Sequence, residues 1–129
     1  MEWILKKKKR IAGSYLEVSI GMIGEDILVC VEGGDRPHIG CVVQAVPRLS
    51  LTGDGSGSAT ASVLNLTGHK DEYLCRKLAE KICSTFGTTT VCTGGFHIDG
   101  MSKEQIKKVM KVNEEITEEM VQGLEVYIK

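Results

Sequence analysis

The sequence predicts an α+β domain of two layers: a mostly antiparallel five-stranded sheet with two helices on one face, in the order β-β-β-β-α-β-α. Three observations predict it. Four segments rich in β-branched and aliphatic residues come first, separated by turns that carry glycine or proline. Two stretches with the helical period come late. Strands that gather ahead of the helices, rather than alternating with them throughout, favour this class over a parallel α/β sheet.

Residues 14–20 and 26–32 hold Val, Ile, Leu and Tyr around Gly21 and Gly24, and read as a hairpin. Residues 39–46, IGCVVQAV, form the third strand, with Pro47 as its expected stop because proline cannot donate to a ladder. Residues 48–58, RLSLTGDGSGS, lack any apolar period and are expected to be a mobile loop. Residues 58–66 then alternate small polar and apolar side chains, as a half-buried strand does.

From Asp71 to Phe86 the residues Leu74, Cys75, Leu78, Ala79, Ile82, Cys83 and Phe86 recur at steps of three and four. That is an amphipathic helix, with Asp71 and Glu72 at its positive end and Gly87 to terminate it. Thr88–Phe96 returns to β-branched residues as a fifth strand. Ser102 and Gln105 make a capping box before a second helix whose stripe runs through Ile106, Val109, Met110, Ile116, Met120, Val121 and Leu124. Residues 1–12 are expected to be a basic tail around Lys6–Arg10, and residues 13–129 a single domain.

The chain has 129 residues, of which 42% are hydrophobic and 26% charged, which excludes disorder and a membrane-spanning role. A formal charge of −1 and 5% aromatics argue against a nucleic-acid partner. The five cysteines form no C-x-x-C pair, and the apolar triplet Trp3, Ile4 and Leu5 precedes the basic run, in the wrong order for a secretion signal. A cytoplasmic location is the expectation.

The three histidines lie in the segments GGDRPHIG, TGHKD and GGFHIDG. Up-and-down strand alternation with one crossover helix brings His38, His69 and His97 to one rim of the sheet. Arg36, Lys70 and Asp99 join them there, with backbone N–H groups of Gly33, Gly34, Gly94 and Gly95. Such a rim suits a phosphate or carboxylate. A metal held by the three histidines is the alternative, although no H-x-x-x-H spacing supports it. A nucleophilic reading would pair Cys92 or Ser62 with His97 and Asp99, but neither residue sits in a recognisable nucleophile elbow.

The runs GGDRPHIGCVVQAVPRLS, SATASVLNLTGHKDEYLCRKLAEKI and VCTGGFHIDGMSKEQI, in that order, resemble the prenylated-flavin chaperone family, the small D-subunit proteins of gallate-type and other aromatic-acid decarboxylases. The resemblance spans residues 16–121. It implies a non-catalytic accessory protein that binds reduced prenylated FMN and assists its delivery from a flavin prenyltransferase to a UbiD-type decarboxylase. The residues that carry it are Arg36, Pro37 and His38; His69, Lys70 and Asp71; and His97 and Asp99. Phe96 departs from the small apolar residue expected before His97, and is expected, with Tyr15 and Tyr73, to meet the flavin ring. A homodimer is expected as well, from the sheet face the helices leave open. A small metal-dependent enzyme and a protein-only scaffold are the competing functions.

Overall fold

The computed structural model describes residues 1–11, 13–49, 53, 57–65 and 70–128, and of residue 70 the backbone alone. The elements are β1 (Trp3–Ile11), β2 (Ser14–Ile23), β3 (Asp26–Gly34), β4 (Cys41–Leu49), β5 (Gly57–Asn65), α1 (Lys70–Phe86), β6 (Thr90–His97) and α2 (Lys103–Tyr127). The α+β class with two helices is as expected, but the sheet has six strands, in the order β1-β2-β3-β6-β4-β5.

The added strand is the basic run, which is therefore no tail: β1 pairs antiparallel with β2 from Ile11↔Ser14 to Trp3↔Gly21. Consecutive lysines hid it, because a half-buried strand should alternate. An edge strand escapes that demand, since long lysine stems lie along apolar surface while their amines reach out. Lys9 reaches Glu115 (3.5 Å) and Glu119 (3.2 Å) on α2, fastening the edge to the helix layer.

β4 also continues through Pro47, which pairs with Ala59. The β4–β6 ladder ends at Ala45↔Thr90, so Pro47 lies where β4 has only β5 beside it, and a missing N–H is tolerated there. Of the residues expected to form the loop from 48 to 58, those at 50–52 and 54–56 lie outside the described residues.

The core fills the space between the helices and one sheet face. A row of side chains crosses all six strands on that face, Leu5, Ile20, Val29, Cys92, Val43 and Val63, in mutual register. Leu74, Cys75, Leu78, Ala79, Ile82 and Cys83 of α1 are fully buried against it, as are Ile116, Met120 and Leu124 of α2. The predicted capping box is present: Gln105 N–H donates to Ser102 Oγ (3.1 Å) and Ser102 N–H to Gln105 Oε1 (2.8 Å). Asn113, buried within the apolar stripe of α2, donates through Nδ2 to Leu74 O on α1 (3.3 Å).

One pairing matters most for function. β6 lies between β3 and β4, parallel to β3 and antiparallel to β4. The carboxyl ends of β3 and β6 and the start of β4 therefore share one edge of the sheet, as strand alternation predicted. Gly94 makes the close β3–β6 approach possible: its φ is +135°, and a Cβ there would lie 1.7 Å from Val31 O.

Truncating Leu78 to Ala is expected to cost about 2–5 kcal/mol by leaving a cavity, and Ser102→Ala about 1 kcal/mol by removing the cap. Urea unfolding measures both, and equal losses would contradict this assignment of core and cap.

Candidate functional site

The rim begins with Asp71, in the first turn of α1, where a carboxylate suits the helix dipole. The side chain does not face solvent; the residue is 7% exposed. Its Oδ1 accepts the backbone N–H of Phe96 (2.9 Å). The β4–β6 ladder ends at Cys41↔Gly94, so this N–H, two residues beyond, is taken by the carboxylate instead of another strand. Its Oδ2 faces His38 Nε2 at 3.0 Å.

Two glycines make room for that pair. A Cβ on Gly40 would lie 2.1 Å from Asp71 Oδ2, and one on Gly95 would lie 2.8 Å from His38 Cε1 and 2.9 Å from Asp71 Oδ2. Neither position can carry a side chain without moving the carboxylate or the imidazole. On its other side His38 Nδ1 faces Arg36 O at 3.0 Å, so both ring nitrogens face oxygen acceptors and neither offers a lone pair outward.

A second pair lies beside the first. His97 Nε2–H donates to Asp99 Oδ1 (2.6 Å), and Asp99 Oδ2 is 3.3 Å from Arg36 Nη2. The two imidazoles meet edge to face with centroids 6.2 Å apart. The hydrogen bond from His97, then the charge of Arg36, hold the Asp99 carboxyl below its usual range, with slight desolvation opposing them. Arg36 and Asp99 are 72% and 71% exposed, so their ion pair is weak and open to exchange.

Alternation thus brings Arg36, His38, His97 and Asp99 together, and Pro37 lies between the first two. His69 lies outside the described residues, and Lys70 opens α1. Gly33 and Gly34 end β3, while Gly94 and Gly95 lie within β6, in register as Val31↔Gly94, Glu32↔Gly95, Gly33↔Phe96 and Gly34↔His97. They are sheet residues chosen for close backbone approach, not the open-turn donors expected of them. A Cβ on Gly34, whose φ is +77°, would lie 2.1 Å from His97 O.

Phe96 is corrected more sharply. Its ring is fully buried in the core, near Gly33, so only its backbone takes part in the rim. The volume of a core aromatic explains the departure from a small residue. Tyr73 points to Glu114 on α2 (3.1 Å) and Tyr15 to Glu32 (3.3 Å), so neither ring reaches into the rim pairs.

Among the described residues no group of three or more His, Cys, Asp or Glu side chains is arranged to hold a metal. Cys92 is fully buried and Ser62 lies on β5, so neither forms the nucleophilic pair considered from sequence. Hydrogen bonding with neighbouring thiols links Cys41, Cys75 and Cys92 beneath the rim; with burial it raises the Cys41 thiol well above the ordinary range, and these are inert core groups. A cleft of about 530 Å³ lies elsewhere, against the outer side of α1 and Ser58 and Ala59 of β5. Arg76, paired with Glu72 and Glu80, lines it together with Lys77 and Lys81.

What the sequence could not disclose was the pairing of His38 with Asp71 and the need for Gly40. Asp71 reads as a helix-dipole residue and Gly40 as a turn residue, and only the fold sets the carboxylate where a Cβ on Gly40 would lie 2.1 Å from its Oδ2.

Residues 11–125 match the prenylated flavin chaperone LpdD-like domain. The chain is 24% identical over 120 residues to Protein LpdD of Lactiplantibacillus plantarum, covering 90% of this chain and 82% of that protein. A chain from the crystal structure of a chaperone complex for yeast 20S proteasome assembly shares the fold, with a TM-score of 0.53 at 14% identity, over 93% of this chain and 97% of that one.

Two outcomes test this geometry. Gly40→Ala should displace the Asp71 carboxylate and abolish its hydrogen bond with His38, read as a changed His38 ring pattern in long-range 1H–15N spectra; an unchanged ring would contradict the cradle. A depressed carboxyl contributes its stabilisation above the unfolded value and loses it as pH falls through the folded one. The Arg36–Asp99–His97 cluster should therefore survive down to pH 3.8 and open only in stronger acid, and a carboxyl 13C titration of Asp99 with an ordinary midpoint would contradict this.

Proposed function

The chain belongs to the prenylated flavin chaperone LpdD-like family, and from that premise we propose that it is a non-catalytic accessory protein that binds reduced prenylated FMN at the Arg36–His38–His97 rim. It receives the flavin from the prenyltransferase that makes it and hands it to a UbiD-type aromatic-acid decarboxylase, acting in the cytoplasm as a homodimer. Five free cysteines accord with a reducing compartment, and among the described residues no helix is long and apolar enough to cross a membrane.

The observation that carries the reading is Arg36. Its guanidinium stands exposed on a rim whose shape is fixed from below, and among the described residues it is held by one surface carboxylate, which a phosphate dianion can replace at little cost. Guanidinium and phosphate pair through two parallel hydrogen bonds, which a single exposed carboxylate contact at 3.3 Å does not match. The residues present thus fit the phosphate end of the flavin. Among the described residues the rings at the rim are the imidazoles of His38 and His97, since the Phe96 ring is spent in the core.

Among the described residues the rim has polar contacts and no activated nucleophile, which supports a protein that holds the cofactor without consuming it. The reactivity belongs to the flavin, and the receiving enzyme uses it. An open rim also suits transfer, since a ligand enclosed in a deep pocket leaves slowly. The metal-dependent alternative is disfavoured by His38, whose two nitrogens are both committed.

The test is retention of reduced prenylated FMN by the purified protein on an anoxic desalting column. Arg36→Ala should weaken retention by roughly 10- to 100-fold, the worth of a charge-assisted hydrogen bond of about 1.5–3 kcal/mol. Equal retention by Arg36→Ala would move the phosphate elsewhere, and no retention by the unmodified protein would end the proposal.

A further inference from the structure

The two edges of the sheet are built oppositely. β1 carries the unbroken basic run Lys6–Arg10, and its register with β2 shifts between Trp3 and Leu5; both features keep a foreign strand away. β5, at the other edge, has neither. Gly57–Asn65 holds no charge and no proline, and it pairs with β4 from end to end without a shift. Among the described residues nothing pairs with its outer side, so every second residue presents an N–H and a C=O outward.

Cations flank that edge on both faces. On the face away from the helices Arg48 reaches across to β5, where its Nε donates to Thr60 Oγ1 (2.9 Å) while Nη1 donates to Leu49 O (3.1 Å). On the helix side Asn65 donates to Glu72 (2.7 Å), which sets one flank of α1 over β5. The cleft beside Ser58 and Ala59 is lined there by Arg76, Lys77 and Lys81. Arg76 holds the carboxylates of that flank, Glu72 and Glu80. Lys77 lies over the Tyr73 ring, 5.5 Å from its centroid, and a second, smaller cleft separates Lys77 and Lys81 from Glu114 and Glu118 of α2. Arg48, Lys77 and Lys81 thus have no ion-pair partner among the described residues.

We propose that the β5 edge is the docking site for an extended, acidic segment of another protein, which adds to the sheet as a further strand. Main-chain hydrogen bonds to β5 supply the affinity, and the flanking cations choose the segment by its charge. Its side chains alternate between the two faces. Those on the helix side meet Lys77 and Lys81 with carboxylates, and those on the other face lie beside Arg48 and the exposed Leu64. A second copy of the chain suits this edge less well, because its own β5 would bring the same cations to the seam. Asn65 stands in register with Cys41, and Cys41 with Gly94, so the added strand runs up to the level of the rim without covering it. The inference is independent of what the rim holds.

The experiment titrates the 15N-labelled full chain with a nine-residue peptide that alternates glutamate with valine, and with its lysine–valine counterpart. The glutamate peptide should shift amide signals of β5 and the adjoining flank of α1. It should also bind at least about tenfold more tightly than the lysine peptide, as two or three exposed ion pairs made rather than opposed would give. Lys77→Glu and Lys81→Glu together should erase that preference, with circular dichroism as the check on folding. Two further glutamate peptides, N-methylated at alternate sets of amides, test the strand pairing itself: one should keep binding and the other lose it, because a single set of N–H groups faces β5. Failure of the glutamate peptide to bind, equal binding of the two charges, a double variant that still prefers glutamate, or equal binding of the two methylated peptides overturns the proposal. So does a peptide-free protein that sediments as a dimer with every β5 amide already protected from hydrogen exchange, since a second copy then holds the edge.

Discussion

The rim depends on one buried carboxylate. Asp71 has both oxygens engaged, one by the Phe96 N–H at the end of β6 and one by His38 in the segment entering β4, and it stands at the start of α1. Three elements distant in sequence are thereby fixed at one point. A buried carboxylate without such partners would cost several kcal/mol, so the arrangement is all or nothing. It also dictates its surroundings: Gly40 and Gly95 are glycines because the carboxylate and imidazole occupy the volume a Cβ would need. Arg36, two residues before His38 and contacting it through its carbonyl, inherits its position from this pair.

Much of this was legible in the sequence, for identifiable reasons. The α1 stripe from Leu74 to Cys83 and the Ser102–Gln105 box follow local rules that tertiary structure did not override, and both stand as read. Strand direction follows from alternation, which put His38 and His97 on one rim even though their strands are not neighbours in the assumed order. The failures have a common cause. β1 is an edge strand whose lysines need not alternate; Pro47 sits where the ladder is one-sided; Phe96 turns inward. Each depends on what lies beside the strand, and a single sequence read locally holds no record of that.

The sheet is consequently asymmetric in a useful way. One face holds the core, the other a mixed surface of apolar, hydroxyl and charged side chains that includes Glu17, Glu32 and Arg48; one edge is strongly basic, the other uncharged. The rim lies at the ends of the strands, away from both faces. A domain of 14.0 kDa has little interior to spare, and its cysteines and Phe96 already fill the space beneath the rim. A site at the surface, stiffened from below, is what such a core can support. In the proposed complex, the scarcity of aromatic residues means that the flavin would be held chiefly through its polar end, which would favour release to another protein.

The central claim is that the rim fixed by Asp71 receives the phosphate of reduced prenylated FMN. An anoxic crystal structure of the complex tests it most directly. The account predicts the phosphate within hydrogen-bonding distance of Arg36, with Asp99 displaced from the guanidinium and the His38–Asp71 contact intact. Flavin bound against the outer side of α1, or at the rim with Arg36 still paired to Asp99, would contradict it.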